Sequence, residues 1–319
     1  MVGFMPSSIT YAPIFDLISE PRLRSFDVFF DEEASEMERY GAYIWSQNAS
    51  AALYPLMQQL EILLRNSVDR VARKRFGDYW WDNISVDKTK SDWSNFNYGI
   101  NNAIKKLERK WKKKERERLN LQAGAALPTP TPTFDHDDIV ATTDFGTWKE
   151  IFISAHYTSE LDEQNKYLWP KSMSKVFKRY DLLGSNTEEA RVEFLRLINE
   201  IKDYRNRLFH HDCIWIKSKS TDQKSAIETI RHKINLLEKL IKVISPITHS
   251  TLSTWGVFYH ARRICSWREL KIYLTFEQEC SFTAAEVDSL SERFSSVSSH
   301  NATVSMDYNG VPFCIHKLR

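Results

Sequence analysis

Three long segments of the chain carry apolar residues at steps of three and four positions, the spacing that places side chains on one face of an α-helix. The chain has only 9 glycines and 10 prolines in 319 residues, so little interrupts such helices. The pattern predicts long helices at about residues 53–76, 187–209 and 223–243, shorter ones at 33–50 and 138–153, and a mainly α fold. The apolar positions of the long segments are Leu53, Leu56, Leu60, Leu63, Leu64, Val68, Val71, Val192, Leu195, Ile198, Ile201, Leu208, Ile230, Ile234, Leu237, Leu240 and Ile241.

The composition predicts three regions along the chain. Residues 1–30 mix proline, serine and aromatic residues without periodicity, which predicts a partly ordered lead-in. Residues 31–250 form the predicted helical domain, and the Thr-Pro-rich stretch at 123–133 suits an extended loop within it. Residues 251–319 are predicted to form an accessory segment that contains a small α/β appendage.

The appendage is predicted from alternating apolar residues on both sides of Asn309-Gly310, a strong hairpin signal. The predicted hairpin covers residues 303–316, and Pro312 suits a strand at the edge of a sheet. Residues 271–276 are a candidate third strand.

The composition also limits where the protein acts. Hydrophobic residues make up 42% of the chain, which suffices for a core, yet no apolar run approaches the roughly 20 residues that span a bilayer. The N-terminus lacks the basic and apolar regions of a secretory signal, and the four cysteines have no C-x-x-C spacing. We therefore expect a cytoplasmic protein with reduced thiols, without membrane association, metal or cofactor.

Basic charge is concentrated at residues 105–118, which hold nine Lys or Arg against three Glu in a chain of net charge +2. Such a concentration is typical of a surface that binds a polyanion, and it predicts steep salt dependence. A solvated helix face is the alternative, and Trp111 is expected in the core rather than as a platform for a base. The candidate RNA-binding residues are Lys105, Lys106, Arg109, Lys110, Lys112, Lys113, Lys114, Arg116 and Arg118.

The stretch with the most reactive side chains ends the predicted helix at 187–209, with Arg205, Asn206, His210 and His211. A histidine can take or return a proton near neutral pH, and an arginine can stabilise a phosphate in its transition state. Arg205 and His210 diverge by about 140° on a straight helix, so we expect two copies of the chain to form a shared cleft. The alternative is that these cations stabilise the C-terminus of the helix.

The segment Arg-Asn-Arg-Leu-Phe-His-His-Asp-Cys-Ile-Trp resembles the Abi-like (abortive infection) family of the HEPN superfamily, in which R-N-x3-H ends a helix. Other blocks in the family's order are residues 43–66, Phe76-Gly77, Trp80-Trp81, Asp144–Trp148, Tyr167–Trp169 and Ile244–Pro246. The Thr-Pro loop departs from the family pattern, and the tail after about residue 260 is not covered.

The resemblance implies a HEPN-type helical bundle that dimerises and cuts RNA without a metal, in phage defence or as a toxin-like growth inhibitor. Arg205 and His210 match the catalytic pair, and the matching or adjacent supporting residues are Asn206, His211, Glu61, Arg65 and Asn66. A cognate small structured RNA that inhibits or guides the enzyme is a candidate partner, since some relatives have one. Glu61 and Arg65 are also spaced for a simple ion pair along one helix.

Two other functions remain open. The chain could be a non-catalytic RNA-binding or regulatory HEPN module, or a domain that senses a nucleotide. The acidic run Asp135–Asp138 resembles a metal site, but its place at the start of a helix favours capping.

Overall fold

The structure, a computed structural model, describes residues 9–31, 33–90 and 96–274, together with the backbone of residues 304–308 and 311–315. The chain divides into two compact units, Met1–Leu274 and Thr275–Arg319. The described part is mainly helical, as the apolar periodicity predicts. Its helices are α1 (Ala12–Ile18), α2 (Glu20–Leu23), α3 (Glu36–Phe76), α4 (Phe96–Arg118), α5 (His136–Thr142), α6 (Phe145–Glu150), α7 (Met173–Val176), α8 (Thr187–Phe209), α9 (Gln223–Ile244), α10 (Pro246–Thr254), α11 (Val257–Ile264) and α12 (Trp267–Leu274). Short 3₁₀ segments lie at Arg24–Phe29, Trp80–Asp82, Ser154–His156, Tyr180–Leu182 and Lys217–Lys219.

Helix α3 is the central element of the first unit. Ser35 and Glu38 form a capping box at its start, and Gly77 ends it with a φ of 84°, a conformation that favours glycine. The sequence predicts two helices here, and the structure has one helix of 41 residues that continues through Pro55. Proline removes one backbone donor, but the buried face is continuous across it, with Leu53 and Leu56 fully buried on either side.

The long helices α8 and α9 have the bounds that the sequence predicts, to within one residue. Asn186 caps α8, and Asp222 forms a capping box with Ser225 at the start of α9. Helix α9 contacts both α3 and α8. The predicted apolar face of α8 is wrong at Val192, which is 52% exposed, because the buried face runs through Phe194, Leu197, Ile198, Ile201 and Tyr204 instead.

The single helix predicted at 138–153 is two helices, α5 and α6. The chain is extended at Thr143 and Asp144, and the Asp144 carboxylate accepts a hydrogen bond from the backbone N–H of Thr147 at 2.8 Å. This N-cap starts a new helix and changes the chain direction. No helix or strand occurs at 123–133, as the Thr-Pro composition predicts.

The helices after residue 250 belong to the first unit. Helices α11 and α12 pack on α3, so the domain boundary predicted at residue 250 falls inside this unit. The close approach of α12 depends on Gly41, where a Cβ atom would collide with the backbone carbonyl of Tyr273. The third strand predicted at 271–276 is wrong as far as Leu274, which ends α12, and residues 275 and 276 lie outside the described residues.

The predicted lead-in is helical from Ala12 to Phe29 apart from Ser19, and it contributes to the core. Phe26 and Phe29 are each 3% exposed and make edge-to-face contacts with Trp215, at 5.2 and 4.8 Å between ring centroids. These aromatic contacts join the N-terminal segment to the residues that follow α8.

In the second unit, strands β1 (Val304–Tyr308) and β2 (Val311–Ile315) pair antiparallel, with Val304 opposite Ile315 and Tyr308 opposite Val311. The predicted Asn309-Gly310 turn and the ends of the predicted hairpin at residues 303 and 316 lie outside the described residues.

None of the helices in residues 9–31, 33–90 and 96–274 combines the length and the apolar character that crossing a bilayer requires.

Candidate functional site

Helix α8 ends in a tight turn that places two histidines in solvent. His210 is the C-cap residue, and the backbone N–H groups of His211 and Asp212 donate to the carbonyls of Leu208 and Arg207 at 3.1 and 3.0 Å. These two bonds define a Schellman motif. His211 occupies the left-handed position with a φ of 57°, where glycine is the usual residue. A β-carbon is unfavourable there, so the neighbouring contacts must hold the turn.

Arg207 supplies those contacts. Its Nε donates to the Asp212 carboxylate at 3.1 Å, and its Nη2 donates to the carbonyls of Cys213 and Trp215 at 3.1 and 2.7 Å. The hydroxyl of buried Tyr204 donates to the carbonyl of Ile214 at 2.8 Å. The turn that carries His210 is therefore fixed by charged and buried hydrogen bonds.

The side chains of Asn206, His210 and His211 are exposed. Asn206 and His210 lie four residues apart, and the Asn206 carbonyl accepts the backbone N–H of His210 at 2.9 Å. An imidazole in this position is open to a ligand from solvent.

The guanidinium of Arg205 is turned toward α3. It lies over the ring of Phe209, 4.4 Å from the ring centroid, and its Nη2 is 3.9 Å from the Glu61 carboxylate. At that distance the two side chains form an ion pair but no hydrogen bond. Tyr54 packs edge-on against Phe209 with 5.7 Å between centroids. The structure thus brings Arg205, Glu61, Phe209 and Tyr54 together.

Arg65 and Asn66, the other predicted supporting residues, lie on α3 beyond Glu61. Arg65 donates to the carbonyl of Ala141 in α5 at 3.5 Å, and Asn66 is exposed. The predicted ion pair between Glu61 and Arg65 does not occur among the described residues, in which Glu61 faces Arg205. Arg65 therefore links α3 to α5 and does not pair with Glu61.

Arg205 and His210 have different surroundings in the described structure. The Arg205 guanidinium lies over Phe209 and near Glu61 on α3, whereas His210 is the exposed C-cap residue of α8. Among the described residues no hydrogen bond joins the two side chains.

The basic helix α4 has one exposed charged face. Its exposed cations come in successive pairs one helical turn apart, at Lys105, Lys106, Arg109, Lys110, Lys113 and Lys114. Arg116 donates to the carbonyl of Ala125 at 3.0 Å, and Arg118 pairs with Glu115, so these two hold the loop and the helix end. Lys112 is half-buried.

Trp111 is half-buried on α4, outside the set of side chains that pack on the main core, although the sequence places it in the apolar stripe. Helix α4 packs on α5, to which Arg65 also donates. Helix α5 thus contacts α4 and, through Arg65, also α3.

The acidic run at 135–138 starts α5. Asp135 is the N-cap residue without a capping hydrogen bond from its side chain, and Asp137 and Asp138 lie in the first turn. His136 is buried, and its ring nitrogens contact the carboxylates of Asp69 and Asp137 at 2.9 and 2.8 Å. In residues 9–31, 33–90 and 96–274 no group of three or more His, Cys, Asp or Glu is arranged to hold a metal ion.

Cys213 lies next to the turn but is a poor nucleophile. Burial, with the nearby Asp212 carboxylate, raises the pKa of the Cys213 thiol to about 11. Burial likewise raises the pKa of Cys265 to about 12. Both thiols are free and stay protonated at neutral pH.

Phe209, Tyr54 and Arg207 are parts of this region that the motif did not single out as site residues. A weak signal exists for each ring. Phe209 follows Arg205 by four residues, and Tyr54 lies off the apolar stripe of Leu53, Leu56 and Leu60. The contacts of Arg207 with residues 212–215 depend on the turn itself, which the sequence does not specify.

Comparisons with family models, with curated proteins and with solved structures found no match to this chain.

Proposed function

We propose that the chain is a metal-independent endoribonuclease with His210 as the proton-transfer group and Arg205 as the phosphate-stabilising group. The observation that carries the proposal is the end of α8, where an exposed imidazole stands on a turn fixed by Arg207. Catalysis requires an accessible proton-transfer group on a fixed support, and His210 is exposed on a turn that Arg207 holds.

The reaction needs no nucleophile from the protein. The ribose 2′-oxygen attacks the adjacent phosphorus while an imidazole accepts its proton, and the bond from phosphorus to the 5′-oxygen breaks. A protonated imidazole returns a proton to the departing 5′-oxygen. Arg205 stabilises the charge that builds on the phosphoryl oxygens, and the products carry a 2′,3′-cyclic phosphate and a 5′-hydroxyl.

We place the active site between two copies of the chain. Arg205 and His210 diverge by about 140° along a straight helix, which favours a site in which a second copy supplies one of the two groups. A two-fold axis near the end of α8 supplies two arginines and two histidines to one cleft. Glu61 orients Arg205, and Asn206 and His211 flank the imidazole.

The fold and biological setting follow from the same proposal. A HEPN-type bundle of the Abi-like kind, acting in the cytoplasm in phage defence or as a growth-inhibiting toxin, agrees with the mainly helical architecture and the position of the Arg/His motif at a helix end. A small structured RNA is the proposed regulator. We propose that strands β1 and β2 belong to a small C-terminal α/β appendage.

The exposed cations of α4 support RNA as the substrate. Pairs of Lys or Arg repeat every four residues, about 6 Å apart along the helix axis, so several phosphates of one strand can be contacted along the helix. The same face would also serve a non-catalytic RNA-binding module, which is the second candidate function.

Incubation of the purified protein with single-stranded RNA in excess EDTA separates these two functions. We expect cleavage, with products that end in a 2′,3′-cyclic phosphate and a 5′-hydroxyl, because attack by the 2′-oxygen needs no metal-bound water. The ends are identified by mass spectrometry. Binding without cleavage would support the non-catalytic module, and 3′-hydroxyl ends would point to a different reaction.

A further inference from the structure

Two aromatic rings are exposed beside Arg205. Tyr54 on α3 is 50% exposed and Phe209 on α8 is 44% exposed, and their rings meet at an interplanar angle of 62°. With Arg205 they form what we call the ring patch. Burial of a large aromatic side chain is strongly favourable, so two neighbouring exposed rings mark a surface that binds something.

The arginine of the ring patch lies over a ring and remains available to a ligand. Its Nε is buried and has no hydrogen-bond partner among the described residues, and its Nη2 is beyond hydrogen-bond distance from Glu61. The side chain is 32% exposed. The guanidinium carbon lies 4.4 Å from the centroid of the Phe209 ring, and the terminal nitrogens can donate to a phosphate.

The ring patch also adjoins the proposed catalytic group. Phe209 precedes His210 directly and is the last residue of α8. A nucleotide whose phosphate is contacted by Arg205 therefore has its base close to two exposed rings.

Resting on the function proposed above, we propose that the ring patch is a stacking subsite for one unpaired base next to the scissile phosphate. Aromatic rings and arginine planes stack on bases of any identity, whereas bases inside a duplex are already stacked on their neighbours. The substrate class that follows is single-stranded RNA, with little preference for base identity at this position.

The charge of the ring patch favours a nucleotide over a protein surface. A cation over an exposed aromatic ring complements a base joined to a phosphate. A stable protein interface buries about 800 Å² on each side, which is far more than three side chains supply. The rings accordingly line the cleft and do not by themselves hold two copies together.

The test measures the affinity of short fluorescent single-stranded RNA for His210→Ala protein, which leaves the RNA intact. Phe209→Leu and Tyr54→Leu, separately and together, keep apolar bulk and remove the rings. We expect the double variant to bind about 5- to 100-fold more weakly, as loss of one stacked base predicts. Tyr259→Leu is the matched control, since this ring is 64% exposed on α11, and its affinity is expected to stay unchanged.

A second arm changes the RNA instead of the protein. A set of RNAs, each with one base removed from its ribose, is titrated into protein with both rings intact. We expect one position at which loss of the base weakens binding as much as loss of the rings. Combining that RNA with the double variant should give no further loss.

The outcomes separate this inference from the proposed function. Equal affinity for ring variants and control, with RNA cleavage by the wild-type chain intact, would overturn the stacking subsite alone. Ring variants that lower the molar mass in sedimentation would place the rings between two copies and also overturn it. Failure of every RNA to bind would overturn both.

Discussion

Replacing His210 by alanine is expected to lower the rate of RNA cleavage by about 10²- to 10⁴-fold, the range that a positioned acid–base group contributes. The imidazole is exposed, and the turn around it is held by Arg207 and Tyr204, so the fold should be unaffected. The rate is measured under single-turnover conditions in EDTA. Circular dichroism and urea unfolding of the same preparation report on the fold.

The matched control is His232→Ala. His232 is another exposed histidine, with a side chain 64% exposed and its Nε2 3.3 Å from a Glu200 carboxylate oxygen. It lies on α9, and its loss should leave the rate unchanged. Equal rates for wild-type and His210→Ala protein, or an equal fall in both variants, would remove His210 from the reaction.

Trp215→Ala is expected to destabilise the protein by about 3–5 kcal/mol, the usual cost of removing a large buried ring. Trp215 is 1% exposed and packs against Phe26 and Phe29, and its backbone carbonyl accepts a hydrogen bond from Arg207. The change leaves a cavity at the junction of the N-terminal segment and the turn that follows α8. The loss is a large fraction of the total stability of an ordinary domain, and urea unfolding measures it.

Trp255→Ala tests whether the effect depends on burial. Trp255 follows α10 and is 63% exposed, so its replacement should change the free energy of unfolding by no more than about 0.5 kcal/mol. A similar loss of unfolding free energy in both variants would show that the effect does not depend on the packing of Trp215 against Phe26 and Phe29. A Trp215→Ala protein as stable as the wild type would contradict the packing of residues 24–29 against the turn.

The sequence predicts elements well where local signals agree with packing. Helices α8 and α9 each combine an apolar stripe with an N-cap residue, and their predicted bounds are confirmed. Prediction from the sequence fails where tertiary packing or a capping residue determines where a helix begins or ends. The sequence predicts separate helices at 33–50 and 53–76, but α3 is continuous, with Leu53 and Leu56 fully buried on either side of Pro55. The break between α5 and α6 has a local signal in Asp144 and Thr147 that the apolar pattern masks.

Long-range contacts account for the remaining differences. Phe26 and Phe29 contact Trp215, which is far from them in the sequence. No local pattern in residues 1–30 predicts these contacts. In residues 271–274 alternation suggests a strand, whereas burial of Leu270 and Leu274, four residues apart, makes a helix that packs on α3.

The candidate site was predictable as a motif but not as a surface. The spacing of Arg205 and His210 on a helix predicts that their side chains diverge, and this stays a prediction. The contact of Arg205 with Glu61, the exposed rings of Tyr54 and Phe209, and the role of Arg207 in the turn depend on how α3, α8 and the following residues meet. The positions of these residues in the sequence give no information on the distances between their side chains.

Attack by a ribose 2′-oxygen is the step on which the proposed function depends, and a DNA strand that carries a single ribonucleotide tests it most directly. With the wild-type chain in EDTA, we expect one cut, at the phosphate that follows the ribonucleotide, and none after its 2′-hydroxyl is methylated. Cleavage of the methylated strand, or cuts elsewhere in the DNA, would contradict a reaction in which the substrate supplies its own nucleophile.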